Sequence, residues 1–202
     1  MDFFASEALD PAVIIQVADE SAAALVSAGR ATDDPQLTAR LVELVDEIGL
    51  STVAQLWADR PARSLAGALW RLYALREWVR RDPAGASTDY AQGLRFADVA
   101  GVIAGAASPP GPQELRDLAD AILTGVFDGD VAVALERAAA FCRVIAAGRG
   151  ARDPAPAPGQ AREAATVGDL TWPDDVRRGV AMLGTADDLQ AVARLWREGQ
   201  LR

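Results

Sequence analysis

The stretch SLAGALWRLYALREWVRR, residues 64 to 81, decides the fold. Leu65, Ala68, Leu69, Leu72, Leu75 and Val79 recur at the three- and four-residue spacing of one helix face, while Trp70, Tyr73 and Trp78 fall on other faces. A helix that is apolar on more than one side needs neighbours on at least two, which places this one centrally in a bundle. Asp82-Pro83 is expected to stop it, because the residue before a proline is driven out of the helical region.

Outward from this stretch the helical period continues almost without interruption, and no segment alternates for long enough to read as a strand. Asp10-Pro11 and Asp34-Pro35 each supply an N-cap followed by an N1 proline. The first opens a helix to about Ala28, with Ile14, Ile15, Ala18, Ala22, Leu25 and Val26 available to the core. The second opens one with a stripe of Leu37, Leu41, Leu44, Val45 and Ile48, ended by Gly49. Ser51 is expected to cap a short helix through Trp57, and shorter helices follow near 87 to 93 and 96 to 104. Pro112 starts a helix through about Thr124, with Leu115, Leu118, Ala119, Ile122 and Leu123 inward. Asp128-Gly129-Asp130 opens another to about Ala147, burying Val131, Ala134, Leu135, Ala138, Phe141, Cys142 and Ile145.

The resulting expectation is an all-α, multi-helical bundle of about seven to nine helices. Residues 1–147 form its main domain, 148–159 a Gly/Pro/Ala-rich linker, and 160–202 a C-terminal helical hairpin docked on the main domain or on a partner subunit. Within that hairpin Gly184 should end the first helix, and Thr185 with Asp188 resembles a capping box for the second.

Composition narrows the chemistry. The chain has no histidine, lysine or asparagine and one cysteine, Cys142. Imidazole bases, Schiff-base lysines and a four-ligand Cys/His zinc site are thereby excluded, and no cofactor or metal is expected. Its Ala, Arg, Asp and Gly enrichment resembles the coding bias of a GC-rich bacterial genome. No run of 18 apolar residues appears and the start lacks a basic secretory region, so a cytoplasmic protein without a membrane partner is expected. A formal net charge of −9 disfavours nucleic acid as a partner.

The candidate ligand- or partner-binding residues are Arg76, Arg80, Trp70, Tyr73 and Trp78. Arg76 sits on the leucine stripe, where a guanidinium must be paired or reach water. Its ordinary role is a structural ion pair, and its functional role would be an anion clamp. Glu77 is better placed to pair with Arg81 than with Arg76. The three aromatic side chains are either core or an adhesive surface, and Phe3 and Phe4 pose the same choice. Cys142 lies in an apolar stripe and reads as an inert buried thiol. Glu43 with Glu47, and Glu114 with Asp117 and Asp120, read as solvated acidic faces.

Val53 to Ala58, the break at Pro61 and Leu65 to Leu72 resemble the two core helices of a winged-helix domain, which would imply a DNA-binding regulator over residues 51–81. The leading expectation is instead a non-catalytic helical protein that binds another protein or a second copy of itself. An enzyme or small-ligand-binding protein built on Arg and carboxylates is the further alternative.

Overall fold

The computed structural model describes residues 11–31, 34–106, 108–152 and 174–201, and these form ten helices and no strand. They are α1 (Pro11–Ala31), α2 (Pro35–Val42), α3 (Leu44–Ile48), α4 (Leu50–Trp57), α5 (Leu65–Arg81), α6 (Pro83–Gly93), α7 (Asp98–Ala104), α8 (Pro112–Asp128), α9 (Val131–Arg152) and α10 (Asp174–Arg197). The fold is an all-α multi-helical bundle ending in a helical hairpin.

Two helices form the inside. The first is α5, capped by the Ser64 hydroxyl, which accepts from the Gly67 amide at 3.1 Å. Every member of its leucine stripe is buried, and Ala66, Gly67 and Tyr73 are buried beside it. It packs against α1, α4, α8 and α10. The second is α9, whose start is fixed by the Asp130 carboxylate accepting from Ala132 and Val133 amides. The sequence shows one buried face on α9. The structure buries Ala132, Ala139, Ala140, Val144 and Ala146 as well, because α6, α7, α8 and α10 surround the helix.

Several boundaries differ from the sequence expectation. The 35–48 helix breaks at Glu43, which leaves the helical region at φ −88° and ψ 10°, so the expected stripe loses its phase and Ile48 is exposed. Gly49, at φ 85°, ends α3 and also starts α4, two residues before the expected Ser51 cap. Asp82 both ends α5 and caps α6, accepting from the Gly85 amide at 2.9 Å. Helix α8 runs on to bury Val126 and Phe127.

Residues 148 to 152, assigned to the linker by composition, are the last turn of α9; 153–159 lie outside the described residues. The hairpin is also built differently, its arms being α9 and α10. Gly184 does not break α10, and the Thr185 hydroxyl donates to the Ala181 carbonyl one turn back instead of capping a new helix. Burial of Ala186, Leu189, Val192 and Ala193 along α9 outweighs the roughly 1 kcal/mol that an interior glycine costs.

Helix α10 runs antiparallel to α9. Arg197 lies beside Glu136, Gln190 beside Arg143, and Gly179 beside Ala146. The Glu136 carboxylate accepts from both terminal nitrogens of Arg197 and from the Gln190 amide. Asp188 on the same helix meets Arg63 and Arg71.

Helix α1 is held through polar contacts as well as Ala18, Ala22 and Val26. Asp19 accepts from the Ala66 amide at 3.3 Å, and the Trp57 indole donates to the Ser21 hydroxyl at 3.0 Å. Ala12–Ala31 has the length and mean hydropathy of a membrane span, yet one stripe of it is core and Asp19 and Glu20 interrupt it. Ile14 and Ile15, expected in the core, are exposed, since no described helix reaches the first turns of α1.

Two glycines in helices make opposite predictions. A Cβ on Gly148 would overlap the Asp89 carbonyl oxygen, whereas one on Gly184 meets nothing within 4 Å. Urea denaturation should show Gly148→Ala destabilising by about 3 kcal/mol or more and Gly184→Ala stabilising by about 0.5 to 1 kcal/mol. The hydrogen bonds from Arg197 hold the Glu136 carboxyl below the ordinary carboxylate range. Such a group contributes stability that is fully present above its unfolded value and is lost as pH falls through the folded one. Between about pH 5 and pH 3, Glu136→Gln should therefore flatten the acid limb of the stability profile.

Candidate functional site

Arg76 is 3% exposed in side chain, and its surroundings explain how a charge survives on a leucine stripe. Its Nε donates to Asp120 on α8 at 2.6 Å, and one terminal nitrogen reaches Asp46 on α3 at 3.4 Å. Asp46 also accepts from Arg80 at 2.8 Å. Asp120, one of the acids read as a solvated face, is thus the carboxylate that Arg76 requires. Glu77 pairs with Arg81 at 2.7 Å instead.

A cleft of about 480 Å³ opens beside this cluster, between α2 and α8. Its charged lining is Arg30, Asp34, Glu43, Arg76, Asp120 and Asp128, four acids against two arginines. An anion entering it would have to displace carboxylates already bonded to Arg76. The arrangement ties α3, α5 and α8 together.

The aromatic candidates separate. Tyr73 is fully buried, with its ring stacked on Trp57 at 6.2 Å and its hydroxyl donating to the Leu41 carbonyl at 2.5 Å. Burial pushes its proton affinity far up, with a smaller opposing effect from Arg76. It is a core residue. Trp70 is half-buried against the core. Trp78, also half-buried, carries the Arg149 guanidinium carbon 4.8 Å from its ring centroid.

Arg149 lies in the segment read as linker, and composition hid it. Its Nε donates to Asp89 at 3.0 Å, and both side chains are under a tenth exposed. The pair sits where α6 crosses α9, beside a cleft of about 410 Å³ that Trp78, Asp82, Arg178 and Met182 also line. Arg76 and Trp78 thus belong to different clefts, so the candidate residues do not form one site. Phe3 and Phe4 lie outside the described residues.

The first turns of α5 are buried, from Leu65 through Leu69. The first turns of the helix that resembles a reading helix are therefore part of the core of the bundle. Cys142 is fully buried and its thiol is pushed up to about 12, chiefly by desolvation. Tyr90 is raised to about 12 by the same cause. Among the described residues no three Cys, Asp or Glu side chains converge as a metal site.

A feature the candidates did not include is the outer face of α7. Val99, Val102 and Ile103 all point away from the bundle, and Phe96 stands exposed on the turn leading into the helix. Beside them a groove of about 560 Å³ runs over α9 towards α10, with Ala140 in its lining. In sequence this pattern is indistinguishable from a core stripe.

Removing the Arg76 head leaves two carboxylates without their shared partner. Arg76→Ala should destabilise by about 1 to 3 kcal/mol in urea titration, and Arg76→Met by less, since it keeps the packed stem. Comparison with protein-family models, with curated proteins and with solved structures finds no match to this chain.

Proposed function

We propose that this chain is a non-catalytic protein-docking module whose partner covers the outer face of α7. The observation that carries the reading is the exposure of Phe96, Val99, Val102 and Ile103, at 69%, 68%, 63% and 51%. Soluble proteins scatter exposed apolar residues singly; four large ones within eight positions, beside a groove, have the form of an interface core awaiting its other half.

The polar chemistry supports the same reading. Groups whose proton affinity is displaced towards neutrality are a mark of catalytic sites. Here the displaced Tyr73, Tyr90 and Cys142 are buried and move away from neutrality. In the two clefts described above, Arg76 and Arg149 are already bonded to carboxylates. DNA binding has the opposite support, since the helix it would need is the buried centre of the fold and the chain is acidic.

A photo-crosslinking side chain at position 99, compared with one at the exposed Val180 of α10, tests the reading in cells that make the protein. The expected result is a discrete protein adduct from position 99, absent from position 180 and reduced at least about tenfold by Phe96→Asp, as for a hot-spot residue. Absence of a protein adduct at 99, or equal adducts at both positions, overturns it.

A further inference from the structure

The α7 face carries both halves of a self-complementary contact. Phe96 protrudes at its leading end. Behind it runs the groove lined by Val99, Ala100 and Ile103 of α7 with Glu136, Ala140, Arg143 and Gln190. An isologous two-fold interface requires that one surface carry a projection and the depression that receives it, offset along the element that crosses the axis. Given the docking reading above, on which this inference rests, we propose that the partner on α7 is a second copy of the same chain. The two α7 helices pack antiparallel about a two-fold axis beside Val99, and each Phe96 enters the groove of the other copy.

Area and charge favour a second copy. The four exposed α7 side chains present on the order of 400 Å² of apolar surface, enough for the core of a patch that reaches about 800 Å² per partner with its rim. Two copies that each carry −9 repel over most of their surface. The charges that line the groove beside α7 are already paired, Glu136 with Arg197 and Arg143 with Asp187. This is a face on which an acidic chain can meet itself without facing its own excess charge.

Two measurements on the full chain decide it. Sedimentation velocity from about 1 to about 200 µM should show a monomer–dimer equilibrium, and Phe96→Asp should weaken it at least about 100-fold with an unchanged circular dichroism spectrum. Val99→Cys should form a disulfide-linked dimer on mild oxidation with diamide, because paired cysteines must approach within about 7 Å between Cα atoms. Val180→Cys should not, and buried Cys142 leaves one accessible thiol in each variant. A wild-type chain that stays monomeric overturns the proposal, as does a dimer that survives Phe96→Asp and crosslinks no better at 99 than at 180. If the chain is monomeric while position 99 still captures another protein, the second copy falls and the docking reading stands. If position 99 captures nothing, both fall.

Discussion

The close crossing of α6 over α9 is the contact on which the rest of the arrangement depends. At Gly93 and Gly148 the two backbones meet directly, and a Cβ on either glycine would overlap a carbonyl oxygen of the opposite helix. That approach leaves the Asp89–Arg149 pair under a tenth exposed, at the edge of a cleft. At that burial each charge would be costly to leave without the other. The Arg149 guanidinium then sits over the Trp78 ring, which joins the α6–α9 crossing to α5. The small residues of α9 let neighbours approach on several sides, and this is how a helix with no single strong apolar face becomes the axis of the molecule.

The charged side chains follow from the same economy of residue types. With no lysine in the chain, every cation is a planar guanidinium that offers several donors in fixed directions. Arg76 uses this to reach carboxylates on two other helices, and Arg197 to engage both oxygens of Glu136. A lysine ammonium would present a point charge and could not divide its donors in this way. Arg76, Arg149 and Arg197 therefore tie helices together through carboxylates. Apolar side chains are left uncovered in the first turns of α1 and on α7, and the docking reading rests on α7 because its side chains are the more exposed and a groove adjoins them.

The helical class, the central place of residues 64 to 81, and the inward residues of α8 and α9 were legible in the sequence. They are properties of local periodicity and capping, and Leu65, Leu72, Leu115 and Phe141 are buried for the reason their spacing implies. That Arg76 needed a partner was also legible, because its phase on the helix can be counted. That the partner is Asp120, 44 positions away, was not, because an acid on the rim of one helix looks the same whether it faces water or a neighbour.

Tertiary structure alone decided the remainder. Gly148 and Gly150 resemble linker residues by composition, but α9 continues through them because a neighbour's backbone fills the space their missing side chains leave, at least at Gly148. Gly184 resembles a helix end, but packing along α9 carries α10 through it. Ile14 and Ile15 read as core and are exposed, since a stripe becomes core only if another element covers it. The sequence by itself determined which segments are helices and which of their faces are apolar, because those depend on residues within a turn or two of one another. The structure decided which apolar faces are covered and which charges meet, because those depend on contacts between residues far apart in the chain.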